Sequence, residues 1–312
     1  MRFSYYLIVV SFLHLQLLGA NHSFIMENDA LTGTDRHYTN GLFYTYMQDT
    51  SSVPSWLDIS NASQKDESYT LSQLMYTPDD LSKSEKQTDD LPYAGYLSLN
   101  YSIFQSTSNY FHEFGINIGV VGPLSRAEEV QKNVHKLNGN REPQGWHNQL
   151  GNQGTAGIAY QFAIKTNKID MGDYKFDWLG NFRIDRGNFY SGALIGTTIR
   201  FGSDIPKNFY TGGNLVGGNE STLLNLSKSN DLIWHFAWGI NFNSIRKFYI
   251  VDAAHEYTVE GIDYTVEKHF STNIQYGSTE FSLILKSTYM NNLKFEEDTL
   301  AKWGGIQIKW QL

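Results

Sequence analysis

The sequence predicts an all-β fold, a transmembrane antiparallel up-and-down β-barrel. Three observations predict it. Apolar and polar residues alternate with period two in segments spread along the chain. Beyond the first twenty residues, no stretch approaches the roughly 20 apolar residues of a membrane helix. The chain alternates up to its last residue, as a closing strand must if no sheet edge is to face lipid.

Composition fits this class. The 312 residues carry a net charge of −8, no cysteine and 15% aromatic side chains, with 20 Tyr, 19 Phe and 7 Trp. Mean hydropathy is −0.39. That value would suit a soluble protein, but in a membrane barrel only every second residue meets lipid, so the mean stays low. A cysteine-free chain is compatible with passage through an oxidising periplasm. No nucleic-acid partner is expected.

Residues 1–20 read as a signal peptide. Arg2 supplies the positive region, "YYLIVVSFLHLQLL" the apolar core, and Gly19-Ala20 the small residues before cleavage. Residues 21–312 then form one outer-membrane barrel, with no internal repeat or domain boundary.

The alternation is explicit. "YLSLNYSIF" sets Leu97, Leu99, Tyr101 and Ile103 against Ser98, Asn100 and Ser102. "EFGINIGVV" sets Phe114, Ile116, Ile118 and Val120 against Glu113, Gly115, Asn117 and Gly119. "GIAYQFAIK", "ALIGTTIRF", "IWHFAWGINF" and "FSLILKSTY" repeat the pattern, with Arg200, His235 and Lys286 on the polar face. A soluble β-sandwich also alternates. The bulky aromatic ends of the apolar faces and the closing "GGIQIKWQL" favour the barrel.

Two polar insertions, "MQDTSSVPSWLDISNASQKDESYT" and "IPKNFYTGGNLVGGNESTLLNLSKSND", read as long extracellular loops. A third, "SRAEEVQKNVHKLNG", reads as a short loop helix. Ser125 and Glu128 have capping-box spacing, Val130, Val134 and Leu137 form one stripe, and Gly139 is the stop.

Chemistry gathers in two places. Glu27, Asn28, Asp29 and Asp35 crowd together near the start of the mature chain, followed by Thr39, Asn40 and Gly41. Hard oxygen ligands at this density suit Ca²⁺ or Mg²⁺, although acidic residues also populate exposed turns, and the spacing is not that of an EF-hand. The second place is "PQGWHNQLGNQG", whose single His147 is by itself an ordinary loop histidine. His112, His135, His235, His255 and His269 read as structural.

"ENDALTGTDRHYTNG", "LPYAGYL" and "GWHNQL", in that order, resemble the lipid A 3′-O-deacylase family of Gram-negative outer membranes. The resemblance implies a twelve-stranded barrel with a calcium-dependent site near the outer rim. It implies hydrolysis of the 3′-linked acyloxyacyl ester of lipid A. The family's Asn-Asp pair falls on Asn28 and Asp29, which would hold Ca²⁺. Its threonine falls on Thr39 and its histidine, the implied general base, on His147. Two positions depart from the pattern. Leu91 stands where the family often has a basic residue before Pro-Tyr-Ala-Gly, and Gln153 stands where it has a glutamate. A glutamine can orient an imidazole by a hydrogen bond but brings no negative charge. His147, Thr39 and Gln153 are therefore the expected catalytic set, and lipopolysaccharide in the outer membrane the expected partner of a monomeric enzyme. The alternative is a degenerate barrel that binds lipopolysaccharide without cutting it, or a pore or structural protein of the outer membrane.

Overall fold

The computed structural model describes residues 19–29, 37–59, 61–213, 218, 220–226, 228–258, 261, 263–288 and 301–312. The expected signal peptide up to residue 18, and Asp35, lie outside the described residues. The strands are β1 (Asn21–Asn28), β2 (His37–Asp49), β3 (Gln64–Thr77), β4 (Ala94–Ser106), β5 (Tyr110–Val121), β6 (Gln153–Lys165), β7 (Ile169–Asp170), β8 (Lys175–Gly187), β9 (Tyr190–Gly202), β10 (Ser229–Phe248), β11 (Tyr264–Gly277), β12 (Thr279–Thr288) and β13 (Ala301–Gln311). Each long strand pairs antiparallel with the next. β6 pairs with β8, and β1 closes the ring on β13 with Asn21 opposite Gln311. Twelve strands therefore form the closed barrel, and the two-residue β7 is an extra ribbon on β8.

The period-two reading fixes the faces. Ile116, Ile118 and Ile158 point outward and are exposed, as are Trp238, Phe242 and Leu283. Their strand neighbours Glu113, Asn241 and Ser282 point inward and are buried. Several interior charges are paired, as burial favours. Arg200 meets Asp177 at 2.6 Å, Arg183 meets Asp185 at 2.9 Å, Lys286 meets Glu27 at 2.8 Å, and Lys309 meets Glu280.

The two ends of the barrel are distinct. The proximal end carries Asn21 and Gln311, and the distal end carries Asn28, Ala94, Val121 and Gln153. Both insertions expected as extracellular loops depart from the proximal end, opposite His147. The first is strand at both ends. Only residues 50–63 connect β2 to β3, and they fold back on the outer wall, where Gln105 donates to the Leu57 carbonyl at 2.8 Å and accepts from the Ile59 amide at 2.7 Å. The second, after β9, turns into the lumen. Phe209, Leu223, Leu224 and Leu226 pack there with Met47, Phe104, Phe111 and Leu179. Gln161 donates to Thr211, Thr70 to Glu220, and Asn21 to the Leu223 carbonyl. Its apolar residues follow no two-residue period, because they fill a cavity rather than cover a sheet. They form a plug.

A second apolar cluster fills the distal mouth. It joins Ile25, Tyr38, Tyr76, Leu91, Phe189, Ile250 and Trp303. The β3–β4 connection lies over this mouth and is clasped to the β10–β11 connection by a Lys86–Glu256 ion pair and by the Thr258 amide donating to the Thr88 carbonyl at 2.7 Å. A lumen packed by plug and cap argues against the pore alternative. A cavity of about 30 Å³, with room for one or two waters, lies beside Glu113, Arg183 and Asp185.

The predicted helix forms as α1 (Ala127–Asn138) and lies against the outside of β3 and β4. Its start differs from the expected capping box. Arg126, left-handed at φ 61°, is the N-cap and its side chain makes no cap hydrogen bond, while the Ser125 hydroxyl one residue earlier accepts from the Ala127 amide at 3.4 Å. Ser125 is instead drawn into the wall, where Gln73 donates to its carbonyl at 2.6 Å and Gly95 leaves room for its hydroxyl. Glu128 pairs with Lys132 at 2.7 Å. Gly139, at φ 73°, ends the helix as predicted.

Candidate active site on the outer wall

The strand-held half of the site is built by register. β1 alternates, so Phe24, Met26 and Asn28 face outward while Ile25 and Glu27 face the lumen. Asn28 stands opposite Asn40. The two amides clamp the strands reciprocally: Asn28 donates to the Thr39 carbonyl at 3.1 Å, and Asn40 donates to the Glu27 carbonyl at 2.9 Å. A register shift between Tyr38 and Asn40 inserts one residue, Thr39, into β2. The bulge lets Tyr38 return to the interior, where its hydroxyl donates to Glu27 at 2.8 Å, while Thr39 shares a 2.7 Å hydrogen bond with Thr77 of β3. Gly41 makes this possible. A Cβ there would stand 2.0 Å from the Tyr38 hydroxyl. Asp29 follows Asn28 at the strand's end and is 2% exposed.

The donor chemistry of Asn28 and Asp29 is oxygen only, which fits Ca²⁺ and not a soft transition metal. Backbone carbonyls and water would have to complete the six to eight oxygens that Ca²⁺ takes. No group of three or more His, Cys, Asp or Glu residues forms a metal cluster among the described residues.

The loop-held half depends on one anchor. Trp146, His147 and Asn148 form a turn of 3-10 helix. Trp146 is buried, donates its indole N–H to Gln131 of α1 at 2.7 Å, and packs 5.0 Å from the Tyr93 ring. Gly145 is required by that contact, since a Cβ would lie 2.4 Å from Tyr93. The Leu150 amide then donates to the Tyr93 carbonyl at 2.9 Å. His147 is left exposed. Its Nε2 lies 3.2 Å from the Asn148 amide nitrogen, which also donates to the Ser84 carbonyl at 2.9 Å. With Asn148 donating, Nε2 is the acceptor and Nδ1 carries the proton.

The predicted residues therefore fall into two groups. Asn28 and Thr39 are joined by a hydrogen bond, with Asp29 beside them in the chain. His147 is held by the α1 side of the same rim and makes its side-chain hydrogen bond to Asn148. Gln153 does not meet His147; it is exposed and donates to the Gly154 carbonyl at 2.8 Å. Leu91 is buried in the distal apolar cluster, so this position does not offer a side chain to a ligand on the wall. Thr77, Gln131, Trp146 and Asn148 are positioning residues that pattern reading did not single out. For Trp146 and Asn148 the signal was available in their places on either side of His147.

The family described as "Outer membrane protein LpxR" matches residues 7–312. The structure is similar to LpxR from Salmonella typhimurium, with a TM-score of 0.76 and 21% identity, over 94% of this chain and 100% of that one. The β domain of the Bordetella autotransporter BrkA (TM-score 0.46, 10% identity, 94% and 99% covered) and the NanC porin (0.37, 7%, 94% and 100%) are more distant barrels. No curated protein matches the chain. The chain belongs to the LpxR family of outer-membrane proteins, the family its motifs resemble.

Proposed function

We propose that this protein is a calcium-dependent lipid A 3′-O-deacylase. The observation that carries the reading is position. Asn28, Thr39 and the turn bearing His147 lie on the outside of a barrel whose lumen is filled, so their substrate must come from the membrane. From Tyr46, on the proximal aromatic belt, to Thr39 is seven residues of β2, roughly 23 Å along the strand. At about 40° of tilt this is on the order of 18 Å along the membrane normal, just past Leu42, the last outward apolar residue of β2, and so at the edge of the apolar band on this wall. An acyl ester close to a lipid headgroup lies at that depth.

His147 takes a proton from a water molecule, and the resulting hydroxide attacks the ester carbonyl. Expulsion of the sugar 3′-oxygen, reprotonated by the imidazolium, releases the acyl chain as a carboxylic acid. Asn28 and Asp29 would hold Ca²⁺, whose chemistry is to polarise the carbonyl and stabilise the oxyanion. Thr39, locked to Thr77, lies beside that pair. Exclusion of bulk water falls to the lipid on one side and α1 on the other.

A second reading is favoured by Gln153 and Leu91, which bring neither a charge nor a hydrogen bond to His147. It is a family member that grips lipopolysaccharide but does not cut it. Release of 3-acyloxyacyl fatty acid by the purified barrel in mixed micelles decides between them. Deacylase activity should disappear in EDTA, return with Ca²⁺, and be missing in Asp29→Ala. Full activity in EDTA would remove the metal from the mechanism, and binding without release would select the second reading.

A further inference from the structure

The wall that carries Asn28 and Thr39 is shorter in apolar height than the wall at β5 and β10. On β1 the outward apolar run is Phe24 and Met26, ended by Asn28. On β2 it is Tyr46, Tyr44 and Leu42, ended by Asn40. On β3 it is Tyr69 and Leu71, ended by Gln73 under the Ser125 turn. The neighbouring β12 and β13 carry three such positions each, Phe281 to Leu285 and Trp310 to Ile306, before Ser287 and Gly304. At β10 and β5 the run is longer. β10 presents five outward apolar positions, from Trp234 to Phe242, and β5 presents four, from Phe114 to Val120. Each outward position adds about 5 Å of height at 3.3 Å per residue and a tilt near 40°. The apolar wall is therefore roughly 10–15 Å tall over β12, β13, β1, β2 and β3, and roughly 20–25 Å over β5 and β10.

We propose that the low wall is a membrane-thinning face. A bilayer meeting a short apolar wall thins locally rather than bury Asn28, Asn40 and Gln73 in hydrocarbon. Polar lipid headgroups and the esters below them then reach these strands at the level of Asn28 and Thr39. The lipid need not be lifted out of its leaflet to meet the site. The partner is a lipid surface, continuous with the exposed belt around the barrel, and the inference holds whether or not the site hydrolyses anything.

The chain has no cysteine, so single cysteines can carry spin labels. Leu71→Cys reports mid-height of the low wall and Trp238→Cys mid-height of the tall one. Leu283→Cys and Ile116→Cys form a second pair in case a variant fails to fold, which heat-modifiable mobility would reveal. Label depth is read from collision with oxygen and with a nickel chelate, in phosphatidylcholine vesicles of increasing acyl length. The expected result is a depth at Trp238 that grows with chain length while that at Leu71 stays shallow. Depths that increase together at both sites mean a flat bilayer and overturn the inference. Because depth is read without turnover, thinning around an inactive protein and hydrolysis in an unthinned bilayer are distinguishable outcomes.

Discussion

Asn28 and Thr39 are held by strand register, whereas His147 is held by a loop, and the two halves are secured by different physics. In the strand half, Asn28 is paired with a strand on both sides, Thr39 is held in a bulge by Thr77 and by the Asn28 amide on its carbonyl, and a buried ion pair lies beneath. In the loop half, a three-residue turn hangs from Trp146, one helix and a few carbonyls of the β3–β4 connection. Damage to the buried support beneath the strand half should therefore be read in stability, and damage to the anchor of the loop half in rate.

The largest expected effect lies in the loop half. His147→Ala should lose on the order of 10²–10⁴ in turnover while the barrel keeps its heat-modifiable mobility and its lipid binding. Turnover equal to wild type would separate His147 from the chemistry. Lys286→Met breaks the comparison from the other side. It leaves Glu27 unpaired in the lumen beneath Asn28, and should cost about 3–5 kcal/mol of stability, seen as a lower unfolding midpoint in urea. An unchanged midpoint would show that Tyr38 alone satisfies Glu27.

Trp146→Ala should lower turnover by about 10²-fold, because the turn loses its aim and small misplacements of a catalytic group are costly. The urea midpoint should stay near that of wild type, since the turn lies outside the barrel ladder. A large fall in the midpoint would show that the two halves are one cooperative unit. The smallest effect is expected at Gln153. Its side chain points to Gly154 and not to His147, so Gln153→Glu should leave turnover intact or raise it. A loss of activity there, measured against Ca²⁺ concentration, would give the amide a role that its hydrogen bonding does not suggest.

The strand half was far more legible in the sequence than the loop half. Alternation in "YLSLNYSIF" or "IWHFAWGINF" writes the inside and outside of a barrel directly, and the last strand closes where its pattern says. The bulge at Thr39 was not legible, because one extra residue in a strand leaves no trace in a period-two pattern. Nor was the plug. Phe209, Leu223, Leu224 and Leu226 are apolar without periodicity, and a polar, glycine-rich stretch containing them looks like a surface loop until the barrel is closed around it. The expected capping box failed for a similar reason. Ser125 has the right spacing, but the left-handed Arg126 takes the N-cap position, so the Ser125 hydroxyl, docked in the gap left by Gly95, meets the Ala127 amide rather than closing a capping box. Around His147 the motif was visible, whereas the indole–Gln131 bond that aims it joins residues fifteen apart across a helix and a turn.

Mass spectrometry of lipid A from Gram-negative cells expressing the protein tests the central claim most directly. The account predicts lipid A lighter by one 3′-acyloxyacyl group in cells with the wild-type protein, and unmodified lipid A in cells with folded His147→Ala or Asp29→Ala. Unmodified lipid A in the presence of folded wild-type protein and Ca²⁺ would contradict it.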